Sequence, residues 1–239
     1  MNFGKDTTLA KRALVIAAHP DDEVLGCGAT MARLAQQSWA VHVLIIAEGA
    51  TSRGAQRDRG NAKAKAELSA LARAAQAAND ILGTASVTLE VFPDNRMDSV
   101  DLLDVVKVVE RTIEQHEPSV VFTHHAGDVN IDHRVLHDAV IAACRPLPGS
   151  GVRELLFFEV PSSSEWRPPA SGPAFHPNVF FDISAQLALK LQALSAYESE
   201  MRPFPHARSI EAVRALAVWR GASAGYAAAE AFILGRSLR

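Results

Sequence analysis

The chain has 239 residues, 48% hydrophobic and 21% charged, enough for one substantial core but short for two. Its 24 Lys and Arg against 27 Asp and Glu leave a formal charge of -3, which gives nucleic acid no electrostatic foothold. Cys27 and Cys144 are too few for a disulfide scaffold, and neither a signal-like leader nor a run of about 18 apolar residues occurs. The expectation is a soluble, cytoplasmic protein without membrane insertion, for which a homo-oligomer is possible.

In chain order, RALVIAA at 12–18 is a short apolar run, followed by HPDDE and then helical apolar spacing over 25–37. The run VHVLIIA at 41–47 suits a second strand buried on both faces, as in a parallel sheet. Residues 56–82, rich in Ala, Lys, Glu, Leu and Arg and stopped by Gly83, predict a long helix. SVTLEV at 86–91 predicts a strand, 102–115 a helix, SVVFTHH at 119–125 a strand and 132–143 a helix. ELLFFEV at 154–160 predicts a fifth strand. The segment 161–178 contains Pro161, Pro168, Pro169, Pro173 and Pro177 and reads as an ordered lid or a flexible loop. Beyond it, NVFFDI at 178–183 predicts a short strand, and 184–239 a C-terminal helical segment with helices over 184–195, 209–220 and 227–232. The alternation predicts a single domain over 1–239 of the α/β class, a Rossmann-like three-layer α/β/α sandwich with a mostly parallel sheet.

Two polar clusters follow the first and fourth predicted strands, where a parallel sheet brings distant loops to one edge. The first, AHPDDE, offers His19 and Asp22 as nitrogen and oxygen ligands for a metal, with Asp21 beside them to accept a proton from an attacking water. The second, THHAGDVNIDHRVLH, supplies His133 as a third ligand. A set of two histidines and one carboxylate serves Zn2+ or Fe2+, and the spare carboxylate of Asp21 favours zinc and hydrolysis. The glycines of LGCGA come well after the strand, so the dinucleotide fingerprint is absent and NAD is disfavoured.

With AHPDDE at 18–23 and THHAGDVNIDHRVLH at 123–137, the chain resembles the PIG-L/LmbE-like family of zinc-dependent N-acetyl-sugar deacetylases. EGATSRG at 48–54, FPDNRMDSV at 92–100, AYESEMRPFPHARS and GASAGYAAAEAF extend the likeness over most of the chain. The resemblance implies metal ligands His19, Asp22 and His133, a general base at Asp21, and an N-acetylated amino sugar or sugar conjugate as substrate. Some members carry a further histidine three residues before the last ligand, where this chain has Asn130, so oxyanion stabilisation falls to the Asn130 amide or to His124, His125 or His137. Asp132 and Asp128 are candidates to orient the imidazoles, with Asp132 the nearer in sequence. Arg53, Asn95 and Met97 are the predicted substrate contacts, with Arg57, Asp94 and Arg96 in the same loops. Trp166 reads first as packing and second as a stacking surface for a sugar ring. Glu198 and His206 lie in a distal motif that can fold back over the pocket. Two other readings share this site: a zinc amidohydrolase for a nonsugar N-acyl metabolite, and a catalytically silent carbohydrate-binding protein retaining the metal.

Overall fold

The computed structural model describes residues 11–53 and 57–239 and leaves the side chain of Arg53 outside the description. Strands β1 (Arg12–Ala17), β2 (Ala40–Ala47), β3 (Ser86–Phe92), β4 (Val120–His124), β5 (Glu154–Phe158), β6 (Val179–Asp182) and β7 (Ala229–Ser237) form one sheet in the order β3-β2-β1-β4-β5-β7-β6. The first five run parallel, while β7 pairs antiparallel with both β5 and β6. Alternate residues of β1 enter opposite layers, Ala13 and Val15 into one core, Leu14 and Ile16 into the other. The first core also holds residues of α1 (Asp22–Gln36), α2 (Ala62–Leu82), α5 (Leu187–Ser195) and α6 (Ile210–Ala222); the second holds those of α3 (Leu102–His116) and α4 (Ile131–Ala143). The result is the three-layer α/β/α sandwich with a mostly parallel sheet. Cys27 and Cys144 are free thiols buried in different layers.

Chain direction around the sheet determines where chemistry can sit. From β1 the chain steps outward through β2 to β3, then returns to the other side of β1 with β4 and continues to β5. The loops leaving β1 and β4 therefore part in opposite directions and open a crevice at their carboxyl ends, the usual ligand position of such sheets.

Local signals account for most boundaries. In α2, the Asn61 side chain accepts from Ala64 N at 2.8 Å, and Gly83 stops the helix at φ 75. The helix predicted over 56–82 is corrected at its start: Gln56 lies outside the described residues, 57–61 are not helical, and the helix begins at Ala62. The Pro-rich loop is tied down: Ser163 and Ser164 hydroxyls donate to Asp128, and the Glu165 carboxylate accepts from Ser162 N. Arg167 donates to Asp128 O at 3.0 Å. Gly127 lies so close beneath the loop that a Cβ there would overlap Pro173 O.

The tail corrects one expectation. Residues 227–232 were predicted helical, within a helical segment spanning 184–239, but Ala229–Ser237 is strand β7. Its Ala-rich composition favours a helix, yet the segment enters a slot between β5 and β6, with Phe232 opposite both Phe158 and Val179. Pairing on both edges outweighs propensity there. The first helix also begins earlier than its apolar spacing predicted, so that Asp22 lies in the first turn of α1 rather than in the preceding loop.

Helix α1 contains a break with an identifiable cause. Cys27 is non-helical at φ -147, ψ 24, and the bonds that the ladder loses are made elsewhere. Ala29 N and Thr30 N donate to the Glu230 carboxylate at 3.0 and 2.6 Å, while Leu25 O accepts from Lys190 Nζ at 2.8 Å. Lys190 and Glu230 pair with each other at 2.6 Å, both buried. An ion pair is thus inserted into the hydrogen-bond ladder one turn after Asp22.

Candidate active site

At the carboxyl end of β1 the chain turns through His19, Pro20 and Asp21 into α1. Asp21 occupies φ 120, a conformation costing a non-glycine residue about 1–3 kcal/mol, and its side chain makes no helix cap. The turn is braced from below by Glu23, whose carboxylate accepts from Asp21 N at 3.1 Å, Tyr197 OH at 2.6 Å and Asn79 Nδ2 at 3.3 Å. Burial pushes the Glu23 carboxyl up to about 7 against these bonds.

Asp22 Oδ2 lies 3.1 Å from His19 Nδ1 and 3.1 Å from His133 Nε2, and the two ring nitrogens are 3.3 Å apart. His133 comes from the first turn of α4, which begins at the Asn130 cap after β4. Burial works against a charged imidazole, but Asp22 and Asp128 outweigh it and raise His133 to about 9. His19 is likewise raised well above its usual range against burial, by bonds to Asp132 and Asp22. Asp22 is held well below the usual carboxylate range despite burial, chiefly by His133 and then His19. Three donor atoms converge where positive charge is favoured, and two imidazoles with one carboxylate suit a zinc ion.

His19, Asp94 and Asp132 form a second cluster of ligand-type atoms. It shares His19 with the first, and an imidazole using Nδ1 on a metal carries its proton on Nε2. That nitrogen lies 3.0 Å from Asp132 Oδ2 and 3.4 Å from Asp94 Oδ1, so these carboxylates accept a hydrogen bond that fixes the ring. On the other histidine of the first cluster, Asp128 Oδ2 lies 3.1 Å from His133 Nδ1. Each imidazole has its own carboxylate. Sequence proximity suggested Asp132 for the neighbouring His133, but a helix directs adjacent side chains to different faces, and Asp132 reaches His19 instead.

The site opens into a cavity of about 540 Å³ bordered by His19, Asp21, Asp22, Asn95, Asn130 and His133, with Gly49 and Ser52 from the loop after β2. Burial and the Asp22 charge push the Asp21 carboxyl well above its usual range, opposed by Arg208. Arg208 Nη1 lies 2.8 Å from Asp21 Oδ2, and its Nε donates to Ser162 Oγ at 2.7 Å. Asn130 caps α4 by accepting from Asp132 N at 2.8 Å and donates one Nδ2 hydrogen to Asn95 Oδ1 at 2.9 Å, leaving the other for the cavity.

Several predicted residues have other positions. Met97 is corrected as a side-chain contact: it is fully buried in the core between the sheet and α3, and only its N–H reaches toward the site, to Asp132 Oδ1 at 2.9 Å. Asp132 also accepts from Asn95 N, so it anchors the 94–97 turn. Arg57 pairs with Glu48 at 2.8 Å. The three alternative oxyanion histidines do not border the cavity, and each uses one ring nitrogen elsewhere: His124 Nε2 accepts from Ala18 N, His137 Nδ1 donates to His124 O, and His125 Nε2 donates to Pro173 O. The distal motif does fold over the pocket, but it contributes Glu200, Arg202 and Arg208 while Glu198 is exposed. Sequence reasoning marked that motif without singling out Arg208.

Residues 14–144 match the family described as PIG-L: GlcNAc-PI de-N-acetylase. The uncharacterized deacetylase YaiS of Escherichia coli K12 is 30% identical over 195 residues, covering 79% of this chain and 91% of that protein. The chain belongs to the PIG-L family. The crystal structure of GalB, the 4-carboxy-2-hydroxymuconate hydratase of Pseudomonas putida KT2440, superposes with a TM-score of 0.74 at 23% identity, covering 94% of this chain and 95% of that one. The N,N'-diacetylchitobiose deacetylase of Pyrococcus horikoshii gives 0.73 at 19% identity, covering 98% and 88%. These likenesses confirm the fold. At the family level the PIG-L chain is a zinc-dependent amidohydrolase, and its His/Asp cluster fits a mononuclear zinc or similar divalent ion. Among the described residues no helix is long and apolar enough to cross a membrane.

The carboxylate on His133 gives a direct test. Asp128→Asn should weaken zinc binding about 10–100-fold, read by competitive titration of the metal-stripped protein with a chromogenic chelator. An unchanged affinity would remove Asp128 from the metal's support.

Proposed function

We propose that this chain is a zinc-dependent N-deacetylase that hydrolyses the acetamide of an N-acetylated amino sugar or sugar conjugate, with His19, Asp22 and His133 as ligands. The observation that carries the reading is the convergence of those three donor atoms beside Asp21 on the wall of a polar cavity. When bound, zinc polarises the amide carbonyl and makes a water acidic enough to lose its proton near neutral pH.

The chain's own groups supply the rest. Arg208 holds Asp21 Oδ2, which leaves Oδ1 to take the proton from the attacking water. Oxygen bonds to the acetyl carbon, the C–N bond breaks, and the proton on Asp21 passes to the departing nitrogen, giving acetate and an amine. The free Nδ2 hydrogen of Asn130 serves the carbonyl oxygen as it gains charge, a role that elsewhere in the family falls to histidine. Asp132 is a positioning residue acting through His19. Asn95 and the loop bearing Arg53 face the part of the substrate beyond the amide.

The substrate assignment is tested by acetate release from zinc-loaded protein, with N-acetylglucosamine derivatives screened beside nonsugar N-acyl metabolites. Turnover of sugar donors is expected. Turnover confined to nonsugar amides would replace the sugar by the amidohydrolase alternative, and binding of sugars without turnover would make the chain a carbohydrate-binding protein.

A further inference from the structure

The Pro-rich connection that leaves β5 carries three consecutive serines near its start, and their hydroxyls go to two different places. Ser162 Oγ accepts from Arg208 Nε at 2.7 Å, on the side of Asp21. Ser163 and Ser164 instead donate to opposite oxygens of one carboxylate, Ser163 to Asp128 Oδ1 and Ser164 to Asp128 Oδ2 at 2.8 Å. A tight turn holds them there. Glu165 accepts from Ser162 N at 2.7 Å and from Ser163 N at 3.3 Å, Ser162 sits at φ 71, and Ser164 Oγ itself accepts from Val160 N at 2.9 Å.

Asp128 is fully buried, and Asn130 N also donates to its Oδ1, at 2.8 Å. Two hydroxyls and one N–H therefore fix the plane of the carboxylate where its Oδ2 lies 3.1 Å from His133 Nδ1. Without the hydroxyls only Asn130 N is left of these donors, and it holds the oxygen that does not face the imidazole. A carboxylate free to turn orients the ring less well, and a metal-binding imidazole loses affinity when its orienting partner is lost. A hydroxyl also draws charge from the carboxylate that accepts from it, so an effect through charge alone would have the opposite sign.

We propose that Ser163 and Ser164 are positioning residues for the metal, acting through Asp128 on His133, so that the Pro-rich segment is part of the zinc site's support. The proposal rests on His133 being a zinc ligand.

The test titrates metal-stripped protein with zinc against a chromogenic chelator, with no substrate present. The double variant Ser163→Ala with Ser164→Ala should bind zinc about tenfold more weakly, the lower end of the range for partners of ligand histidines. Ser162→Gly is the control: glycine takes φ 71 without strain and removes a hydroxyl from the same turn, but one that serves Arg208, so zinc affinity should stay at the wild-type level. Should the double variant not fold, Ser164→Ala decides by the same comparison with Ser162→Gly. Unchanged or tighter zinc binding without the hydroxyls, or equal weakening in Ser162→Gly, overturns the proposal. His133→Ala separates it from the ligand assignment beneath it. Zinc loss there with wild-type affinity in the serine variants refutes the serines alone, whereas wild-type affinity in His133→Ala refutes both.

Discussion

Asp21→Asn is expected to lower the acetate-release rate about 10²–10⁴-fold while zinc content stays at the wild-type level. The substitution removes the oxygen that takes the proton but keeps side-chain volume. Asparagine is also among the residues that best tolerate positive φ, so the turn at φ 120 can persist. Its effect should therefore fall on kcat, because Asp22 and both histidines retain their positions. Loss of zinc or of folded structure in this variant would mean that Asp21 acts by shaping the turn. An unchanged rate in a folded, zinc-loaded variant would remove Asp21 as the base.

Lys190→Met should destabilise the protein by about 3–5 kcal/mol, seen as a lowered urea midpoint, because the Glu230 carboxylate is then left in the interior without its partner. Leu25 O loses its donor as well, one turn from Asp22. Adding Glu230→Gln should recover part of the loss: the glutamine oxygen can still accept from a freed α1 N–H, and no buried charge remains. A change below about 1 kcal/mol in the single variant would show that the pair is solvated or replaceable. This ion pair explains the break in α1, so the same variants should move the geometry of the first turn and, with it, zinc affinity.

The sequence made the sheet legible where each strand is a continuous apolar run, from RALVIA in β1 to ELLFF in β5. A residue of β1 meets protein on both faces, and that requirement leaves its mark on every position. Strand β7 left no such mark. It is made from AEAFILGRS, and only the slot between β5 and β6 makes it extended. The metal-ligand types were equally visible in HPDDE and NIDH because they sit in the connections that leave β1 and β4. Which carboxylate serves which histidine was not, since Asp132 adjoins His133 in sequence yet bonds His19 across the crevice. Arg208 reaches Asp21 across 187 positions, and nothing in the local pattern of PFPHARS says which side chain turns inward. Met97 shows the reverse: a loop position at the right edge whose side chain enters the core.

The most direct measurement is zinc titration of the metal-stripped protein with acetate release from an N-acetylglucosamine conjugate followed at each addition. The account predicts no release before zinc, a rise that saturates at one equivalent, and no recovery in His133→Ala at the same zinc level. Full release from protein shown by metal analysis to be zinc-free, or undiminished recovery in His133→Ala, would contradict it.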